Sequence, residues 1–204
     1  MPTEPEEIDL SEHELREITG YAAACASRVL SVFELRAAAD TRPREAVDAA
    51  WAFAGGGRRT GALRTCAWAA YRAAREAGST AAGDAARAAS HAAAAAYLHP
   101  RASAHQVKHI LGAAAHAARA EELASEGSSQ EGAVSPEGPS GEWAVSAQGP
   151  VLEGSPGSAP GTLAWARRNA PPAVMAVLGR LPAAPPGGGR VGELIRALDT
   201  ALRA

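Results

Sequence analysis

Apolar positions recur along this chain in steps of three and four, and each run is closed by a capping residue, a glycine or a proline. Leu15, Ile18, Ala22, Cys25, Val29 and Val32 form the first stripe. That spacing puts them on one face of a helix and predicts that the helix packs against others. Ser11 and Glu14 stand ahead of the stripe at capping-box spacing, so the helix is expected from Ser11 to about Leu35. A second helix is expected to open at Asp40 or Thr41, with Pro43 in its first turn and Glu45 near the positive end of its dipole, and to stop at Gly55-Gly56-Gly57. A third is expected from Thr60 to Ala77, ended by Gly78, and a fourth from Ser79 or Thr80 to about Leu98, broken by Pro100. A fifth is expected from Ser103 to Ser125.

The pattern vanishes over residues 127–161, where 20 of 35 residues are Gly, Ser or Pro and none is basic. This composition predicts a disordered insert, with Trp143 and Val145 as apolar groups that dock weakly at most. The helical signal then returns. Thr162 to Asn169 carries Trp165, and a helix opened by Pro171-Pro172 carries Val174, Val177, Leu178 and Leu181. After a Pro182–Gly189 loop, Arg190 to Arg203 carries Val191, Leu194, Ile195, Leu198 and Leu202. So few residues in short helices make a poor core alone, so residues 162–204 are expected to pack back on the first five helices. No run alternates β-branched and polar residues as a strand would. The predicted fold is all-α: an Ala-rich antiparallel bundle of about five longer helices (11–126), two or three short C-terminal helices (162–204), a disordered insert (127–161) and a frayed acidic N-terminus (1–10).

Composition sharpens this picture. Of the 40 residues from Ala81 to Ala120, 19 are alanine. Alanine favours helix and permits close approach of helix axes, but each contact buries little area, so stability must come from many contacts. The net charge is −2, from 20 basic and 22 acidic residues, which argues against a nucleic-acid binder. Only Lys108 among the basic residues is Lys, a bias of base composition with little functional content. Cys25 and Cys66 lie in helical apolar stretches without metal or redox spacing and are expected as buried free thiols. No signal peptide and no membrane-spanning stretch is evident, so the expected location is the cytoplasm.

The candidate chemistry is sparse. His105, His109 and His116 share one face of the fifth helix, with His91 and His99 on its neighbour, and His105 and His109 at i, i+4 can reach one metal. No His-Glu-x-x-His pattern supports this, and polar gap-filling between Ala-rich helices is the favoured role. Asp40, Arg42, Arg44, Glu45 and Arg64 are expected as an ion-pair cluster at the mouth of the second and third helices. Glu4, Glu6, Glu7, Asp9, Glu12, Glu14 and Glu17 make an acidic start that would steer a basic partner or simply be solvated. Arg58, Arg59, Arg64, Arg72 and Arg75 give the third helix a basic face, expected to be solvated rather than nucleic-acid-binding. Trp51, Phe53 and Trp68 are expected in the core with Phe33, Leu63 and Trp165; an exposed Trp would instead mark a partner surface. Phosphate loops and Gly-x-Ser-x-Gly elbows are absent from the sequence, so no catalytic residue and no cofactor is expected.

Several segments together resemble one bacterial family. They are Leu15-Arg16-Glu17-Ile18-Thr19 with Ala24 to Leu30, Arg42-Pro43-Arg44-Glu45-Ala46, and Arg64 with Ala69 to Ala77. Ala86 to Ala94, containing Ser90-His91, and His109-Ile110-Leu111-Gly112-Ala113-Ala114 complete the set. The chain is similar over roughly residues 10–122 to the immunity-protein-5-like family, and its C-terminal tail resembles an extension carried by some members. The resemblance implies an Ala-rich helical bundle that neutralises a toxin made by the same or a sibling cell, and it brings no catalytic residues. Tyr71 and Tyr97 stand where relatives often have His, and His116 where they often have Tyr, which argues against shared His chemistry. The leading expectation is therefore a binding protein that occludes a cognate toxin stoichiometrically, with Arg42, Arg44, Glu45, Arg64, His91 and His109 as partner-binding candidates. The alternatives are a metal-dependent hydrolase using His91, His105, His109 and His116, and a scaffold whose 127–161 insert does the work.

Overall fold

A computed structural model describes residues 6–131 and 161–204. Among the described residues every named element is a helix: α1 (Glu12–Ser27), α2 (Leu30–Glu34), α3 (Arg42–Ala54), α4 (Gly61–Glu76), α5 (Thr80–Ala95), α6 (Ala104–Glu131), α7 (Thr162–Arg168), α8 (Pro172–Gly179) and α9 (Gly189–Arg203). The all-α, Ala-rich bundle expected from the apolar pattern is what the chain forms. No helix among the described residues is long and apolar enough to cross a membrane.

Local chemistry explains most boundaries. The Ser11 hydroxyl accepts from the Glu14 N–H at 3.2 Å, and Glu14 accepts from the Ser11 N–H at 2.8 Å, closing the capping box of α1. Pro43 sits in the first turn of α3. Gly57 closes that helix: its N–H reaches the Ala52 carbonyl at 2.9 Å, and a Cβ there would lie 2.6 Å from the same oxygen. Arg16 completes the cap by donating to the Phe53 and Gly57 carbonyls while its guanidinium covers the Phe53 ring.

Three expectations change. The first helix does not run unbroken to Leu35; Val29 leaves helical geometry at φ −120° and ψ 6°. Its N–H bonds three residues back, to Ala26. The chain restarts rotated, so that Leu30 and Phe33 are buried and Val32 only partly, which removes the larger side chains from water. Helix α6 runs on to Glu131, past residue 127 where the insert is expected to begin; residues 132–160, with Trp143 and Val145, lie outside the described residues. Residues 6–10 are not frayed. The Ala102 N–H donates to the Glu6 carbonyl at 2.7 Å, the Ile8 N–H to Pro100 at 3.1 Å, and Ile8 and Leu10 pack on the core.

Helix α5 is the axis of the molecule, touched by α1, α2, α3, α4 and α6. Where five helices crowd against one, small side chains fit best, and this is where alanine concentrates: Ala82, Ala85, Ala86, Ala88, Ala89, Ala92, Ala93 and Ala95 are all buried. The C-terminal helices share the same core. Leu194, Ile195, Leu198 and Leu202 of α9 are buried, and α9 lies against α6 and α8, with α8 also on α1. Arg190 grips both Glu122 carboxylate oxygens of α6 at 2.6 and 3.1 Å. Arg180 donates to the Asp9 carbonyl and to Glu14.

Candidate functional site

Helix α4 carries two parallel rows one residue apart. Leu63, Ala67, Ala70 and Ala74 are spaced four, three and four, and all are buried. Arg64, Trp68, Tyr71 and Arg75 repeat that spacing one position on, and all are exposed. Trp68 is 59% exposed and Tyr71 40%, whereas Phe33 and Phe53 are 1% and 2%. Arg64, Trp68 and Tyr71 of the exposed row line a groove of about 710 Å3 between α4, α5 and the start of α6, together with His91, Tyr97, His99 and His109. The Trp68 and Tyr71 rings meet edge to face, centroids 5.8 Å apart and planes at 89°. Arg64 lies over the Tyr97 ring, 4.4 Å from its centroid, and the Tyr97 hydroxyl donates to the Thr60 carbonyl at 2.5 Å.

Beneath the groove runs a polar seam between α5 and α6. Asp84 is buried, and His116 Nδ1 donates to its carboxylate at 2.7 Å. A carboxylate only accepts there, which fixes the proton on Nδ1. The His116 ring stacks on His91, centroids 5.1 Å apart. His91 rests against Gly112, where a Cβ would approach its Nδ1 to 2.6 Å, and its remaining edge opens to the groove. Burial first, then the nearby His116, His109 and Arg87, push His91 down to about 3, so it is neutral at physiological pH. His109 is also lowered, by partial removal from water and then by His99 and His105.

The structure gathers only some of the candidates. Arg64, His91 and His109 share the groove. Arg42 is elsewhere, bridging Asp40 and Glu76 at 2.6 Å each. Arg44 forks Glu34 at 2.6 and 2.8 Å, and Glu45 accepts from the Thr41 hydroxyl at 2.6 Å. The single cluster expected from Asp40 to Arg64 therefore does not form. Arg42 meets the last residue of α4, and Arg64 sits twelve residues earlier on that helix, about 18 Å away at a helical rise. His91, His105, His109 and His116 do not converge either: His116 is turned to Asp84, and His105 is exposed outside the groove lining. Among the described residues no three His, Cys, Asp or Glu side chains come together as a metal site would require.

Trp51 and Trp68 are corrections to the expected core, since both are exposed. Trp51 falls in a row with Arg44 and Asp48, beside the buried Val47 and Ala50, just as Trp68 falls beside Ala67. The signal was in the spacing: each tryptophan shares a row with charged residues. Asp84 has no signal of its own in the sequence, and the placing of Tyr97, His99 and Gly112 at the groove depends on which helices meet. Of the two thiols, Cys25 is fully buried and pushed up to about 12 by that burial, while Cys66 is only partly buried and is raised for the same reason.

A family model described as "Imm-5 like putative immunity protein" matches residues 9–136. This spans α1 to α6 and every residue of the groove. No curated protein and no solved structure matches the chain.

Proposed function

The chain belongs to the Imm-5-like immunity protein family, and from that premise we propose that it neutralises a protein toxin by binding it one to one through the groove between α4, α5 and α6. Bound there, the helical surface covers the toxin's active site or substrate channel, and no cofactor or chemical step is required.

One observation carries the choice of face. In a chain that buries Phe33 and Phe53 almost completely, Trp68 and Tyr71 stand exposed side by side with Arg64 along a concave surface. Trp, Tyr and Arg are the residue types that most often anchor protein interfaces, because each buries a large area with little rotamer entropy or forks a carboxylate. The surface is also preformed. Arg64 is held over Tyr97, Tyr97 is tied to Thr60, and His91 is wedged against Gly112, so little ordering is left to oppose binding.

The test is neutralisation of the toxins encoded beside this protein. Wild-type protein should abolish the activity of its cognate toxin at one equivalent. The Trp68→Ala/Tyr71→Ala variant should bind at least about 30-fold more weakly, as loss of two interface anchors implies. Full toxin activity at excess wild-type protein would remove the proposed role for those partners, and wild-type potency in the double variant would remove the groove as the docking face.

A further inference from the structure

The groove differs in charge from the protein that carries it. The chain has two more acidic than basic residues, yet no carboxylate lines this groove among the described residues. The larger cleft between α6, α7 and α9, about 840 Å3, instead mixes Glu121 and Glu122 with Arg167 and Arg168. The cations at the groove are also unspent. Arg16, Arg42, Arg44, Arg119, Arg180, Arg190 and Arg203 each hold a carboxylate. Arg64 holds none among the described residues and lies over the Tyr97 ring, which Arg59 also approaches. His99 and His109 line the same end, and His109 is lowered by partial removal from water and then by His99 and His105, so a nearby anion favours its charged form. His91 adds a neutral ring whose nitrogens have no hydrogen-bond partner in the protein among the described residues.

We propose that the groove receives an acidic segment of the protein partner: a carboxylate meets Arg64 and the His99–His109 edge, while an adjacent apolar side chain packs on Trp68 and Tyr71. The inference rests on the docking role proposed above for the identity of the partner, and it adds the chemistry by which that partner is recognised. Carboxylates and guanidinium groups pair with a geometry that a carbonyl or an amine does not reproduce. A nucleic acid fits less well. Single strands stack bases on free aromatic faces, but Trp68 and Tyr71 stand perpendicular and the Tyr97 face is already covered by Arg64. One fixed guanidinium also suits one or two carboxylates better than a run of phosphates.

The experiment titrates the full-length, isotope-labelled protein at pH 6.5 and low salt with three probes: capped Glu-Glu-Leu-Glu-Glu, capped Lys-Lys-Leu-Lys-Lys, and a five-nucleotide oligothymidine. The acidic peptide should shift the Trp68 indole N–H together with the His99 and His109 signals, and should bind at least tenfold more tightly than the other two. Arg64→Gln should weaken it fivefold or more, and Arg64→Lys should restore part of the loss; both variants are at an exposed position and should fold normally. Equal binding of the two peptides, no binding of the acidic one, or tighter binding of the oligonucleotide overturns the inference. Neutralisation by Trp68→Ala/Tyr71→Ala separates the two proposals. Neutralisation lost without any preference for the acidic peptide sinks this inference and leaves the docking face. A clear acidic preference with neutralisation intact supports the groove chemistry and removes the docking face.

Discussion

The imidazole of His91 and a side chain at position 112 cannot occupy the same space. A Cβ built on Gly112 falls 2.6 Å from His91 Nδ1 and 2.9 Å from Cε1. The ring cannot swing away freely, because its other face is stacked on His116. The pair thus sets how closely α5 and α6 approach beneath the groove.

Gly112→Ala should therefore destabilise the protein by about 1–3 kcal/mol, the range for overpacking a tight interior. This loss outweighs the roughly 1 kcal/mol that alanine gains over glycine in a helix. In a His91→Ala background the clash is gone and the same substitution should become stabilising. Urea midpoints of the four variants form the cycle; a Gly112→Ala effect of one sign in both backgrounds would show that the two residues do not compete.

Acid should unfold the protein earlier than carboxylate titration alone predicts. Burial, followed by His116, His109 and Arg87, holds folded His91 down to about 3, while an unfolded histidine titrates near about 6.5. As pH falls through 6.5 the unfolded chain takes up a proton that the folded chain refuses. Stability is complete above 6.5 and declines until the folded form titrates near 3, by at most about 1.4 kcal/mol per pH unit from this group. His109, lowered too, adds in the same direction. Melting temperatures at pH 7.5, 6 and 5 should drop in the wild type and drop less steeply in His91→Gln; parallel slopes would remove His91 from the account.

Asp84 and His116 form a mostly buried pair at 2.7 Å, with Arg87 3.6 Å from the same carboxylate oxygen. Asp84→Ala leaves His116 Nδ1–H without its acceptor and should cost about 1–3 kcal/mol. Nitrogen-15 spectra of the wild type should show His116 protonated at Nδ1. A dominant Nε2–H tautomer at neutral pH would contradict the pairing.

Truncation on the exposed row of α4 should cost far less than truncation in the core. Trp68→Ala and Tyr71→Ala lie on the exposed row and should change stability by no more than about 0.5 kcal/mol. Phe53→Ala, 2% exposed and beneath Arg16, should cost about 3–5 kcal/mol. Denaturant titration checks both, and a Trp68→Ala loss as large as that of Phe53→Ala would place Trp68 in the core after all.

Most of the helical order was legible without coordinates, because the signals that start and stop a helix are local. Ser11 with Glu14, Pro43, Gly55-Gly56-Gly57, Ser79 and Pro172 act within one turn of themselves, and the observed ends fall beside them. The break at Val29 was not legible, since the apolar stripe continues through it; only the burial of Leu30 and Phe33 against the bundle selects the rotated register. Even the rows of the site were available in the spacing. Asp84 and His91 are one face of α5, His109, Gly112 and His116 one face of α6, and Arg64, Trp68 and Tyr71 one face of α4.

Periodicity thus determined which residues travel together on a helix. It did not determine which row meets which. Alanine packs equally well on any side, so an Ala-rich helix carries little information about the face it will bury. The tertiary structure supplied that choice by enclosing α5. Once five helices surround it, His91 lies against Gly112 of α6, where no side chain stands in its way, Arg64 and Arg42 fall at opposite ends of α4, and Trp68 and Tyr71 are left facing outward because the interior beside Ala67 and Ala70 has no room for them.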